Sequence, residues 1–341
     1  MDDARETELI TRALPYIRDT LALSMLHDAR HKAIVITDTE SELSRVLAAA
    51  YLQCLPSAEE LRFYERTPEE VKAELAPLVE NDLVVLVQSG SFRMPDMRLR
   101  VELFKRNVKV IEHTNLGRMR ESESEAYIDS LAYDAKYYQG VGYALKAKMD
   151  AASSATVESG GAALRFDSAL EAAKLNIGDF STLKNVGSQF PIGEVFTEAK
   201  ELEKVHGRVR IYAFTDLSRR LNMPQTPITL VVDRGRVIDA IDSTEDFEAV
   251  RAQITADEGE VWLRELGFGM NSAFSPTRTV SDVGAFERVT GIHISLGAKH
   301  GVYKKAGFNP REARHHVDVF AVTERVLLDD EVVFENGAWR A

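Results

Sequence analysis

Lys32-Ala-Ile-Val-Ile-Thr37 encloses four consecutive apolar residues, and a helix-patterned stretch from Glu40 to Tyr51 follows it. A short apolar run without alternation suits a strand buried on both faces, the kind that parallel sheets use. The pairing recurs downstream. Glu59 to Tyr64 reads as a strand and Glu69 to Leu78 as a helix. Asp82-Leu-Val-Val-Leu-Val87 is another buried run, Met97 to Arg106 is helical, and Val108-Lys-Val-Ile-Glu112 is strand-like. Upstream, residues 1–30 carry Leu9, Leu14, Ile17 and Leu21 on one side of a helix. Strands alternating with helices at this spacing predict an α/β fold with a Rossmann-like, mostly parallel sheet layer. A long helix over Ala132 to Ala151 closes that layer.

Beyond it the character changes. Ala155-Thr-Val-Glu-Ser159 and Ala163-Leu-Arg-Phe166 read as a hairpin across Gly160-Gly161. Val209 to Phe214, Ile228 to Val232 and Val237 to Ile241 are strand-like, the last two joined by the turn Asp233-Arg-Gly-Arg236. Glu245 to Thr255 is a helix. The expected division is therefore an N-terminal α/β domain over 1–150 and a β-rich α+β domain over 151–341. No repeat or low-complexity tether separates them.

Composition narrows the function. The chain has 341 residues, 45% of them hydrophobic, enough for two domains with their own cores. A net charge of −12 and an isoelectric point near 5.3 argue against a nucleic-acid or anionic-membrane partner. Cys54 is the only cysteine, which excludes an internal disulfide and a cysteine-based metal site. The opening Met1-Asp-Asp-Ala-Arg5 has no secretory pattern and no run approaches bilayer-spanning length, so a cytoplasmic protein is expected. Gly140-Val-Gly142 lies inside a helical pattern, and no phosphate-binding glycine loop or serine-hydrolase elbow occurs at a strand–helix junction.

Four of the eight histidines, His293, His300, His315 and His316, gather near the C-terminus. In Gly291-Ile-His293-Ile-Ser-Leu-Gly297, Ile292, Ile294 and Leu296 alternate with His293 and Ser295. In His316-Val-Asp318-Val319, His316 and Asp318 alternate with valines. Alternation puts His316 and Asp318 on one strand face and His293 on the polar face of its own strand. Two imidazoles and a carboxylate form a ligand set for zinc, cobalt, manganese or ferrous iron. Alone, H-x-D is more often a polar strand edge.

Four segments in order sharpen this reading. Phe190-Pro-Ile-Gly193-Glu194-Val195-Phe196-Thr197 resembles the P-x-G-E-V-F-T segment of the bacterial metalloaminopeptidases related to aminopeptidase T and aminopeptidase S. Leu263-Arg-Glu265-Leu-Gly-Phe-Gly-Met-Asn271 looks like that family's L-G-E-x-x-x-G-x-N segment. Gly291 to Gly297 looks like its G-T-x-H-x-A-L-G segment, and His316-Val-Asp318 like its H-x-D. The resemblance implies a centre of two divalent ions (zinc, cobalt or manganese) held by Glu194, Glu265, His293, His316 and Asp318, with Glu265 also the catalytic base. It implies hydrolysis of a small peptide or amide, and a homodimer.

The departures from that family are specific. Seven residues after the matching histidine the family has a tyrosine; here the position is His300, with Tyr303 nearby, so both are catalytic candidates. The family's glutamate ahead of its histidine segment matches Glu287 only with a one-residue offset. The 2,5-dihydroxypyridine 5,6-dioxygenases are similar as well. They bind one ferrous ion through two histidines and an aspartate, which match His293, His316 and Asp318, but lack a glutamate matching Glu194. A ring-cleaving dioxygenase and a non-catalytic metal-binding scaffold are therefore the alternatives. Arg278, Lys304, Lys305, Arg311 and Arg314 surround the ligand segments, which suggests a carboxylate-bearing substrate.

Overall fold

The computed structural model describes residues 3–182, 185–305, 307–309 and 311–340. Contacts divide the chain into two compact units, each assembled from three segments. The first holds Met1–Gln139, Gly178–Ile192 and Arg278–Ala285; the second holds Gly140–Ile177, Gly193–Thr277 and Phe286–Ala341. Where the sequence suggested one crossing near 150, the chain crosses between units at several points.

The first unit is built on a five-stranded parallel sheet. Its strands are β1 (Ala33–Thr37), β2 (Glu59–Arg62), β3 (Leu83–Val87), β4 (Lys109–His113) and β5 (Gly187–Phe190), in the spatial order β2-β1-β3-β4-β5. β1 and β3 are buried along their whole length, as unbroken apolar runs require. Ile34, Ile36, Val84, Leu86 and Val110 form one core with Val71 and Leu75 of helix Pro68–Leu75 and Leu99 and Leu103 of helix Leu99–Lys105. Thr67 caps the former helix, its hydroxyl accepting from the Glu70 amide while Glu70 accepts from the Thr67 amide. Helix Glu42–Cys54, capped by Ser41, packs against β1 and against helix Asp3–Asp19. The expected helix over 1–30 ends sooner: the α-helix stops at Asp19 and one π turn runs to Ser24.

The second unit carries a fourteen-stranded, mainly antiparallel sheet. The part that positions the site consists of β6 (Glu194–Glu198), β7 (Val205–Thr215), β8 (Leu263–Gly269), β9 (Gly291–Leu296) and β10 (Val317–Ala321), in the order β7-β10-β9-β8-β6. Leu266 pairs with Ile294 and Phe268 with Ile292 across β8 and β9, and Ile294 pairs with Val319 of β10. These apolar side chains line one face, while His293, Ser295, Asp318 and Phe320 share the other. Both faces are buried in β8, β9 and β10. The fold class is thus the mixed α/β arrangement expected, a parallel layer and a large β-rich sheet. No helix among the described residues is long and apolar enough to cross a membrane.

Candidate metal centre

Glu194, Glu265 and His293 converge from β6, β8 and β9. Antiparallel register brings them together: His293 lies opposite Gly267, and Glu194 opposite Gly269. Gly267 makes room for the imidazole, since a Cβ there would come within 2.1 Å of the His293 ring. Glu265 lies within a break in register between Leu263 and Leu266, where β8 has one residue more than β9. There its amide donates to Ser295 Oγ at 3.0 Å. Against β6 the pairing is unbroken from Glu265 to Gly269, so Glu265 shares the strand face of Gly267 and Gly269, opposite which His293 and Glu194 lie.

All three residues are buried, with His293 fully enclosed. His293 Nε2 stands 3.0 Å from Glu194 Oε1 and 3.5 Å from Glu265 Oε1, yet neither ring nitrogen has a partner in hydrogen-bond geometry. Buried polar atoms without partners are uncommon and call for an explanation. Atoms bound at about 2.1 Å to one ion lie roughly 3.0–3.5 Å from one another, facing the ion instead of each other. The observed spacing and misalignment fit that arrangement. One imidazole and two carboxylates suit a divalent ion of hard-to-borderline character.

The electrostatics agree. Burial pulls the His293 pKa down, but Glu194 and Glu265 more than reverse this and hold it well above the usual imidazole range. Burial likewise opposes ionisation of Glu265, and contacts with His293 and His300 outweigh it, leaving the carboxyl far below its usual range. A pocket that favours a proton this strongly favours a metal cation in its place.

His300 and His316 flank this cluster. His300 Nε2 is 2.9 Å from Glu265 Oε2, although off hydrogen-bonding angle. Its Nδ1 accepts from the amides of Val302 and Tyr303 at 3.1 and 3.2 Å, which assigns the proton of the neutral ring to Nε2. His316 Nδ1 lies 3.2 Å from the Lys299 carbonyl, so that nitrogen is the donor and Nε2 faces Asp318 Oδ1 at 3.1 Å. Ligating histidines commonly hold their second nitrogen on a carbonyl in this way. Asp318 Oδ1 is buried and lacks a hydrogen-bond partner. Asp318 pushes His316 up to about 10 against the opposing effect of burial. The compact three-ligand group nevertheless contains the two glutamates and His293, without His316 or Asp318.

Other candidates have different surroundings. The Tyr303 hydroxyl lies 2.8 Å from the Ala172 carbonyl and 3.2 Å from that of Phe196, so its proton is held by the backbone and the ring braces its loop. His315 is bonded to Asp257 at 2.6 Å. Three of the five basic residues named above are paired: Arg278 with Asp129, Lys305 with Glu171 and Arg314 with Asp257. Glu194 is the first residue of strand β6.

Sequence reasoning missed two arginines. Arg288, 5% exposed, places Nη1 within 2.6 Å of both Glu194 Oε2 and Glu287 Oε1. Burial pushes Glu287 up to about 8, with Glu194 and Asp318 adding to the effect and Arg288 opposing it. Arg264, 1% exposed, binds the Glu198 carboxylate through Nε and Nη2 at 2.7 and 3.1 Å. It also donates to the Ala298 and Tyr303 carbonyls, tying down the segment that carries His300. The available signal was a charge standing directly beside a candidate glutamate, as in Arg264-Glu265 and Glu287-Arg288.

No protein-family model matches the sequence, and no curated protein matches it. Solved structures do. A 2,5-dihydroxypyridine dioxygenase from Pseudomonas putida KT2440 matches with a TM-score of 0.64 at 15% identity, over 98% of this chain and 98% of that one. Wild-type AmpT from Thermus thermophilus, an aminopeptidase, matches with a TM-score of 0.58 at 15% identity, over 97% of this chain and 99% of that one. The chain is similar in fold to both proteins along nearly its whole length.

Proposed function

We propose that the chain is a metal-dependent hydrolase that cleaves a small peptide or amide, with Glu194, Glu265 and His293 holding a divalent ion. The observation that carries this reading is the approach of two buried carboxylates to His293 Nε2 at 3.0 and 3.5 Å without hydrogen-bond geometry. When bound, the ion supplies Lewis acidity and a water of lowered pKa. Glu265, buried and facing the place where the ion would sit, is positioned to take a proton from that water. His300 stands beside that carboxylate, its Nε2 2.9 Å from Glu265 Oε2, and can serve as a proton donor there. His316 and Asp318 complete the polar face beside His300, the two imidazole centroids being 6.0 Å apart. The aminopeptidase similarity supports this choice, as do two glutamates where one carboxylate would serve a dioxygenase.

A second reading has its own observation. The partnerless Asp318 Oδ1 and the carbonyl-anchored His316 are ready for a mononuclear ferrous site with His293, as in a ring-cleaving dioxygenase. The deciding experiment compares two assays on protein loaded with zinc, manganese or, anaerobically, ferrous iron. One follows release from amino-acid and dipeptide amides, the other oxygen uptake on dihydroxylated heterocycles. The hydrolase reading expects amide cleavage that is abolished by a chelator and restored by zinc or manganese. Oxygen uptake without amide cleavage would overturn it in favour of the dioxygenase.

A further inference from the structure

Resting on the metal-site reading above, we infer that the centre holds one divalent ion per chain, because the Arg288 guanidinium occupies the far side of Glu194, where a second ion bridged by that carboxylate would sit. Glu194 faces two ways. Its Oε1 points at His293 Nε2 at 3.0 Å, and its Oε2 is 2.6 Å from Arg288 Nη1. The same Nη1 is 2.6 Å from Glu287 Oε1. The space between the Glu194 and Glu287 carboxylates is therefore bridged by a cation belonging to the protein. A dinuclear centre uses a shared carboxylate whose two oxygens reach two ions about 3.5–4 Å apart. Here the second oxygen of Glu194 already serves a guanidinium.

Three features make this cation a permanent occupant. Arg288 is 5% exposed, so water cannot displace it. Guanidinium does not lose its proton in proteins, unlike lysine, so no accessible pH vacates the position as a charge. Glu194 and Glu287 both face it, and Glu194 would be left a buried carboxylate without its cation if it moved away. A second divalent ion would have to sit beside a fixed positive charge in a poorly screened interior. Arg288 thus acts as a positioning residue: it fixes Glu194 with Oε1 toward the ion and fills the space between Glu194 and Glu287.

Metal content of purified, zinc-loaded chain, measured by elemental analysis after dialysis and by calorimetric titration, gives the count directly. The expected result is one ion per chain for the wild type and two for Arg288→Ala, with the affinity of the first ion changed less than tenfold. Arg288→Lys, which keeps a cation, is expected to hold one. Two ions of similar affinity in the wild type would overturn the inference while leaving the hydrolase reading standing. No ion in the wild type would overturn both. One ion in a folded Arg288→Ala, verified by its thermal transition, would overturn the role of Arg288. If that variant fails to fold, the wild-type count alone decides.

Discussion

Glu194 and Glu265 contribute differently although both approach the same imidazole. Glu194 is fixed on its far side by Arg288, whereas the far side of Glu265 meets His300. Replacing Glu194 by Gln should therefore act on metal content: the amide is a poorer ligand and a poorer partner for the guanidinium. Glu265→Gln should retain more metal and lose rate, on the order of 10²–10⁴ if it is the general base. Metal analysis beside turnover separates the two, and unchanged metal with unchanged rate in both variants would contradict these roles. At this scale the convergence of Glu194, Glu265 and His293 was legible only through the resemblance of their three segments to a known family. Arg288 was not legible. An arginine beside a glutamate in sequence usually marks a solvated surface, and only burial reveals it as part of the site.

Elements determine whether these residues meet. β8 carries Gly267 and Gly269 opposite His293 and Glu194, so the strand is thin where the imidazole leans over it. Gly267→Ala would drive a methyl group into the His293 ring, since its Cβ falls 2.1 Å from the ring. The expected result is at least tenfold weaker zinc binding in a variant that still folds; unaltered binding would show that the ring is not held there. The segment after β9 depends on Arg264. Losing one partner of a buried ion pair typically costs about 3–5 kcal/mol. Arg264→Ala should show a loss of that order in urea denaturation, and Arg264→Met combined with Glu198→Met a smaller one. Equal losses in the single and double variants would mean that the stranded charge is not the cause. The buried strands β1 and β3 were readable as apolar runs, and β4 as the strand-like stretch Val108 to Glu112. β5 was not: Gly187-Ser-Gln-Phe190 has no strand pattern, and its place is set by pairing with β4, where a Cβ on Gly187 would strike the Val110 carbonyl at 2.0 Å. The bulge at Arg264-Glu265 escaped notice for a similar reason, because it breaks the alternation on which strand reading depends.

Across the whole molecule, the two units follow contacts that sequence distance conceals, such as β5 joining the parallel sheet from beyond residue 177. The first unit has a polar centre of its own. His113, fully buried on β4, has both nitrogens 2.8 Å from a tyrosine hydroxyl, Nε2 from Tyr51 and Nδ1 from Tyr127. Tyr127 donates to the Phe190 carbonyl at 3.3 Å, so Nδ1 carries the imidazole proton and Tyr51 donates to Nε2. Burial lowers the His113 pKa from 6.5 to about 3. A depressed folded value means stability that is present above the unfolded pKa and lost as pH falls toward the folded one. Between pH 6.5 and about 3 the wild type should therefore lose about 1.4 kcal/mol per pH unit relative to His113→Phe. Parallel stability curves for the two proteins over that range would refute the assignment.

The central claim is that Glu194, Glu265 and His293 form a metal site, and retention of zinc through exhaustive dialysis tests it most directly. The account predicts that the wild type keeps its zinc at neutral pH and that His293→Ala, equally folded, loses it. A wild type that retains no zinc, or a His293→Ala variant that retains as much, would contradict the claim.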